Sequence, residues 1–297
     1  MKPFTFHSPT EILDFPLFNE KSLTVHIKRD DQIHPFISGN KWRKLKYVIQ
    51  SALATEKKHL VTFGGAWSNH LLAAACAGAT FGLKTTGFVR GDAVSNPNLS
   101  LCKLYGMELR FIDRTRYRDK PPIYEQYAAD NPDTYFVDEG GYSLDGAKGC
   151  AEIIDELVDT YDYIFCACGT GTTIAGLNEG CARHGLDTEI HGIAVLAGGD
   201  FIRDAAAKLS PQTTQDRLHI HTDYHFGGYA KTKPVLNTFI KQFTSTTGIL
   251  IEPVYTGKLL YGVFDLAEHD YFEAGARILI VHTGGLTGIL GLHEQFS

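Results

Sequence analysis

The sequence has no long apolar run, no excess of basic residues and no Cys-x-x-Cys pair. No run approaches the ~18 apolar residues of a membrane span, and the amino-terminal MKPFTFHSPTEILDF has no apolar core of a signal peptide. A formal net charge of −6 at pH 7 argues against a basic stripe that would neutralise nucleic-acid phosphates. These absences predict a cytoplasmic protein with neither a nucleic-acid nor a membrane partner.

The six cysteines are scattered, and their neighbours are apolar, as in LAAACAGA and IFCACG. Cysteines in such surroundings are typically small, buried core residues. The spacing of Cys166 and Cys168 is too tight for the usual zinc motif. We therefore expect reduced thiols, as in cytosolic proteins.

What the sequence does contain is an alternation of strand-like and helix-like segments. Strands are predicted at 23–30, 59–65, 84–91, 107–112, 161–169, 189–199 and 276–285, and helices at 69–82, 97–105 and 172–185. This order is typical of βαβ units with parallel sheets and helices on both faces. A polar, proline-bearing stretch at 113–135 breaks the pattern, and we expect it to be a surface excursion.

The strongest of several glycine-rich loops is CGTGTT at 168–173, which leads into a predicted helix. The positive end of a helix suits a phosphate. The loop is not a P-loop, because no lysine follows, and it is not a dinucleotide fingerprint, because Ile174 replaces the third glycine. A single phosphate fits best; the alternative is a plain strand-to-helix turn.

A second loop, GGAWSN at 64–69, ends in two ordinary helix N-cap residues. It is not a hydrolase elbow, because His70 stands where that motif requires glycine. A third segment, GNKWRKL at 39–45, places Lys41 at the start of an apolar-patterned helix. A lysine, a single-phosphate loop and a polar Ser-Asn loop together suggest pyridoxal phosphate, which needs a Schiff-base lysine and a phosphate cup.

Six segments carry a family resemblance, in this order: KRDD (28–31), GNKWRKL (39–45), GGAWSNH (64–70), CGTGTTIAGL (168–177), GGYAK (227–231) and EPVYTGK (252–258). Over essentially its whole length the chain resembles the 1-aminocyclopropane-1-carboxylate deaminase and D-cysteine desulfhydrase family. That family belongs to the tryptophan-synthase-β-like (fold type II) pyridoxal phosphate enzymes.

The resemblance implies an α/β fold with two open parallel-sheet domains and pyridoxal 5'-phosphate in the cleft between them. The large domain would comprise residues 1–45 and 151–297, and the small inserted domain residues 46–150. It also implies a homodimer that acts on a small amino acid.

For the cofactor, the resemblance implies that Lys41 forms the Schiff base and that Lys44, one helical turn on, helps hold the phosphate. Asn69 would bond the phenolic oxygen. The phosphate cradle would consist of Gly169, Thr170, Gly171, Thr172 and Thr173.

For the substrate, the resemblance implies that Tyr229 and Tyr255 approach it and that Ser68 faces it. Ser68 would orient the substrate carboxylate, or act as the nucleophile if the substrate were the cyclopropane acid. A nonenzymatic pyridoxal phosphate carrier or degenerate homologue is the rival interpretation.

Thr256 bears on the choice of substrate. In the deaminases a glutamate at this position keeps the pyridine nitrogen protonated, whereas desulfhydrase-like members have threonine. A carboxylate makes the ring a strong electron sink, and a threonine hydroxyl donates only to a neutral nitrogen. The weaker sink suits loss of thiolate from D-cysteine by α,β-elimination, giving a 2-oxo acid and ammonia. The alternative is ring opening of 1-aminocyclopropane-1-carboxylate to 2-oxobutanoate and ammonia.

The sequence allows two interpretations for each of three further features. Trp67 departs from the glutamine usual in the family, and it either closes the substrate pocket or points into the core. The stretch HIHTDYH (219–225) is either a metal site or a solvent-facing strand; we expect the strand and no metal. The segment EGGYS (139–143) is either a substrate-side loop or a turn.

Overall fold

The computed structural model describes residues 5–296. Its strands are β1 Thr10–Ile12, β2 Thr24–Lys28, β3 His59–Gly65, β4 Lys84–Arg90, β5 Glu108–Ile112, β6 Thr134–Val137, β7 Tyr163–Cys168, β8 Glu189–Ala194, β9 Leu218–His221 and β10 Arg277–Val281. Its α-helices are α1 Pro16–Glu20, α2 Asn40–Ala54, α3 Asn69–Phe81, α4 Pro97–Leu104, α5 Lys120–Asp130, α6 Leu144–Asp155, α7 Thr172–Arg183, α8 Phe201–Leu209, α9 Pro234–Thr247 and α10 Thr256–Glu268.

The strands form two sheets, one with the order β1-β2-β10-β7-β8-β9 and one with the order β5-β4-β3-β6. All their pairings are parallel except that of β1 with β2. Parallel neighbours need crossover connections, which the helices supply. The predicted α/β fold with two open parallel sheets is therefore confirmed. The smaller sheet uses only strands between residues 59 and 137, and the domain bounds at 46 and 150 stay a prediction.

The larger sheet is buried on both faces, as expected for a parallel sheet covered by helices. Along β7, Phe165 enters one hydrophobic core, whereas Ile164 and Cys166 enter the other. This alternation follows from the two-residue period of a strand. Because helices cover both faces of the sheet, a ligand is expected to bind at the carboxyl ends of the strands.

The cysteines and the helices of the structure bear on two predictions, that of reduced thiols and that of no membrane-spanning segment. All six cysteines are free and buried. Within residues 5–296, no helix combines the length and the apolar character needed to cross a membrane.

The prediction for the polar stretch at 113–135 is wrong. The segment contains α5, whose Ile123 and Tyr127 are buried in a core that includes Phe63 and Phe88 of the smaller sheet. Two large side chains four residues apart share one helix face. The polar composition reflects only the solvent-facing side of this helix, which is why it suggested an excursion.

Helix α2 begins against the loop that follows β10. Gly39 has a φ of +59°, and a Cβ there would lie 1.8 Å from the carbonyl oxygen of Thr283. A left-handed backbone with so close a neighbour requires glycine. Gly39 therefore determines where α2 begins. This helix carries both predicted cofactor lysines, Lys41 and Lys44.

Candidate active site

A cavity of about 520 Å³ opens at the carboxyl ends of the strands, and residues that follow strands of both sheets line it. This is where open α/β sheets bind ligands. The structure brings together eleven of the predicted site residues here: Lys41, Lys44, Ser68, Asn69, Gly169, Thr170, Gly171, Thr172, Thr173, Tyr229 and Tyr255. Residues separated by more than 200 positions thus share one cavity.

One end of the cavity is rich in hydrogen-bond donors. The loop after β7 passes through Gly171, whose φ of +84° is suited to glycine, and leads into the first turn of α7. The hydroxyls of Thr170 and Thr172 lie 3.0 Å apart. Lys44 also lines this cavity, and its Nζ donates to the carbonyl of Gly140 at 3.2 Å. Hydroxyls, an ammonium and a helix N-terminus form a donor set suited to a phosphate.

Lys41 is tied to the same loop through its neighbour in sequence. Its Nζ donates to Oδ1 of Asn40 at 2.8 Å, and Nδ2 of Asn40 donates to the hydroxyl of Thr173 at 3.0 Å. Burial and the positive charge of Lys44 lower the pKa of Lys41 to about 7. Because the neutral amine is the nucleophilic form, Lys41 is suited to attack an aldehyde near neutral pH.

The loop after β3 presents Ser68 and Asn69 at the start of α3. The Ser68 hydroxyl oxygen accepts from the backbone N–H of Leu71 at 3.3 Å, which leaves its own proton available. The Asn69 amide is oriented by two contacts. Its Nδ2 donates to the Gly285 carbonyl at 3.1 Å, and its Oδ1 accepts from the Thr287 hydroxyl at 3.0 Å. Both side chains are therefore held at the cavity wall.

Two tyrosines from different segments meet in the cavity. The hydroxyl of Tyr255 donates to that of Tyr229 at 3.4 Å, and their rings are nearly perpendicular. Burial raises the pKa of both phenols. At neutral pH they stay protonated and can donate a hydrogen bond or a proton. A Cβ at Gly169 would lie 3.4 Å from Cε1 of Tyr255, which places this pair beside the phosphate loop.

Thr256 is the predicted site residue that lies outside the cavity lining. It is fully buried, and its hydroxyl accepts from the backbone N–H of Glu252 at 2.8 Å. The Glu252 carboxylate accepts in turn from the backbone N–H groups of Tyr255 and Thr256. Glu252 thus caps the first turn of α10. The contact of Thr256 with a pyridine nitrogen stays a prediction.

His70 also lines the cavity, although no role is predicted for it from the sequence. The Thr62 hydroxyl donates to the Val137 carbonyl at 2.7 Å, so at 2.8 Å it accepts from the Nε2–H of His70. This arrangement leaves Nδ1 as an unprotonated, buried acceptor with no partner in the structure. Burial and the two nearby lysines lower the pKa of His70 to about 3. His70 is therefore neutral at any working pH.

Three further residues that line the cavity lie at or just after strand ends. Their position at a strand end is the signal by which the sequence could have identified them. Arg90 ends β4, and Glu139 follows β6 and pairs with Lys120 at 3.2 Å. Trp67 is 39% exposed and lines the cavity rather than entering the core. Its ring covers Gly291, where a Cβ would lie 2.9 Å from Cδ2 of the indole.

The cavity fits pyridoxal phosphate by the chemistry of its side chains. Lys41 supplies an amine for the aldehyde, and Lys44 with the loop at 169–173 supplies donors for one phosphate. The oriented amide of Asn69 supplies a hydrogen-bond donor for a ring oxygen.

Comparison with known proteins gives the same result. A family described as "Pyridoxal-phosphate dependent enzyme" matches residues 4–284. A putative 1-aminocyclopropane-1-carboxylate deaminase of Pyrococcus horikoshii is 33% identical over 89% of this chain and 85% of its own length. The mitochondrial bifunctional D-cysteine desulfhydrase/1-aminocyclopropane-1-carboxylate deaminase of Arabidopsis thaliana is 28% identical over 91% of this chain and 74% of its own length.

Among solved structures, an ACC (1-aminocyclopropane-1-carboxylate) deaminase homologue superimposes with a TM-score of 0.86 and 30% sequence identity. The match covers 98% of this chain and 93% of the homologue's chain. The fold, the lysine and phosphate-loop geometry and the sequence relatives agree. The chain therefore belongs to the pyridoxal-phosphate dependent enzymes, and pyridoxal phosphate is its cofactor.

Proposed function

We propose that this enzyme is a deaminating lyase whose first candidate substrate is D-cysteine. The overall reaction converts D-cysteine and water into pyruvate, ammonia and hydrogen sulfide. The observation that carries this choice is Thr256, which stands at the position where, by the family resemblance, the deaminases have glutamate. Of the described residues that line the cavity, Glu139 is the only acid, and it already pairs with Lys120.

When bound, pyridoxal phosphate supplies an aldehyde that captures amines and a ring that accepts electrons from Cα. Burial and the charge of Lys44 lower the pKa of Lys41 to about 7, which makes its neutral amine accessible near neutral pH. Its amine is therefore the base for the substrate α-proton. The hydroxyl of Ser68 and the first turn of α3 would orient the substrate carboxylate.

The tyrosine pair would act on the leaving group. Since burial raises the pKa of Tyr229 and of Tyr255, each keeps its phenolic proton at neutral pH. Either phenol can donate to a departing thiolate and make it a better leaving group. The two hydroxyls lie 3.4 Å apart, so the second phenol can support the first by a hydrogen bond.

The second candidate is ring opening of 1-aminocyclopropane-1-carboxylate with water to 2-oxobutanoate and ammonia. Two similarities favour it: the relative of Pyrococcus horikoshii, and the solved structure of an ACC deaminase homologue. In this reaction Ser68 would be the nucleophile. The same lysine, phosphate loop and tyrosines would serve both reactions.

Assaying the purified holoenzyme with D-cysteine and with 1-aminocyclopropane-1-carboxylate in parallel distinguishes these candidates. We expect pyruvate and sulfide from D-cysteine, in equal amounts, and no 2-oxobutanoate from the cyclopropane acid. Production of 2-oxobutanoate would overturn the argument from Thr256. If neither compound reacts although the cofactor is bound, the substrate is a different amino acid admitted by Trp67, or the chain is a degenerate homologue. Screening further amino acids for a change in the cofactor spectrum separates these two cases.

We also propose that the enzyme works in the cytoplasm as a homodimer, with the cofactor between a large domain (1–45 and 151–297) and a small one (46–150). The family resemblance supports the dimer, and the buried, free cysteines are consistent with a reducing compartment. Light scattering on the holoenzyme should give twice the mass of one chain. The mass of a single chain at every concentration would contradict the dimer.

A further inference from the structure

A cluster of histidines lies on the larger sheet, away from the cavity. His191 on β8 is the register partner of His219 on the edge strand β9, and Glu189 lies two residues before His191. Residues two apart, and register partners on neighbouring strands, project from the same face of a sheet. On the other face, Ile190 and Leu218 enter the hydrophobic core. Sheet pairing thus brings three potential metal ligands to one face of the sheet.

The three side chains converge on a small volume. Nε2 of His191 lies 3.3 Å from Oε2 of Glu189, and Nε2 of His219 lies 3.8 Å from the same oxygen. All three ligand atoms lie within 4.8 Å of one another. Bonds of about 2.0–2.2 Å to one tetrahedral zinc ion place its ligand atoms roughly 3.3 Å apart. Glu189 and His219 are 45% and 38% exposed and can close the remaining distance by rotating.

His191 is fully buried and held in place. Its ring stacks between Phe165 at 4.6 Å and His219 at 4.7 Å. Its other nitrogen, Nδ1, lies 2.9 Å from Nε2 of His221. If Nδ1 carries the proton and donates to His221, Nε2 is free to bind a metal. A second hydrogen-bond partner of this kind orients most metal-binding histidines.

We propose that Glu189, His191 and His219 bind one divalent ion of the zinc class, with a fourth position open to water. Two histidines and one carboxylate are a ligand set that proteins use for zinc. The ion would link the edge strand β9 to β8 near the amino-terminal ends of these strands. The sequence favoured a solvent-facing strand without a metal at 219–225, because the partners on β8 come from a segment about 30 residues earlier.

The test uses the full-length holoenzyme, stripped with a chelator and dialysed against micromolar zinc. We expect one zinc ion per chain by elemental analysis and a higher melting temperature with zinc than without it. Glu189→Gln and His219→Ala each remove one exposed ligand and should weaken zinc binding at least tenfold. His184→Ala is the matched control, because this exposed histidine pairs with Asp155 outside the cluster and should leave zinc binding unchanged.

Two results would overturn the site. One is the absence of stoichiometric zinc in the wild type at micromolar concentration. The other is zinc bound with equal affinity by the wild type, Glu189→Gln and His219→Ala. Circular dichroism of each variant shows whether it is folded. Because the cluster shares no residue with the cavity, neither result depends on which substrate the enzyme uses.

Discussion

Lys41→Ala should lower kcat/KM by about 10³-fold or more, since both covalent capture of the cofactor and proton transfer at Cα are assigned to this amine. The visible absorption of cofactor bound to the lysine should disappear as well. The physical reason is local. Burial and the charge of Lys44 lower the pKa of Lys41 to about 7, and Asn40 holds its Nζ next to the phosphate loop. Steady-state kinetics and an absorption spectrum of the purified variant measure both effects.

Lys46→Ala is the matched control for this experiment. Lys46 lies on the same helix but pairs with Glu152 at 2.7 Å and is outside the cavity lining. We expect its activity and its absorption band to stay close to the wild type. If Lys41→Ala keeps the band while Lys46→Ala loses it, the assignment of the cofactor lysine is wrong.

Arg43→Met should destabilise the protein by about 3–5 kcal/mol, the usual cost of removing one partner from a buried ion pair. Arg43 and Asp30 are 1% and 0% exposed, with 2.7 Å between Nη2 and Oδ1. Arg43 also pairs with Glu156. Replacing the guanidinium with an apolar side chain leaves the Asp30 carboxylate buried without its cation. Urea unfolding at saturating pyridoxal phosphate gives the difference in the free energy of unfolding.

A surface ion pair provides the comparison. Arg183 and Asp155 are 45% and 40% exposed, and exposed pairs contribute about 1 kcal/mol or less. Arg183→Met should therefore change the free energy of unfolding much less than Arg43→Met. Equal effects of the two substitutions would mean that the Arg43 ion pair does not hold helix α2 in place.

The sequence by itself determined the α/β alternation, the cofactor lysine as a candidate and the single-phosphate loop. These features are local. A strand followed by a glycine-rich turn and a helix is visible within about 20 consecutive residues, and parallel strands bring such turns to one edge of a sheet. For this reason the loops at 64–69 and 169–173 are expected at one edge of a sheet, whereas the roles of Lys41, Ser68 and Asn69 are implied by the family resemblance.

Only the tertiary structure decided which polar groups are paired and which remain free. Thr62 fixes the tautomer of His70, and Glu252 engages the Thr256 hydroxyl that the sequence had directed at the cofactor. The pairing of His191 with His219 depends on the register of β8 and β9. Hydrogen bonds and strand register join residues that are far apart in the chain. These pairings are determined by how the elements pack together, and not by the residue pattern of any one segment.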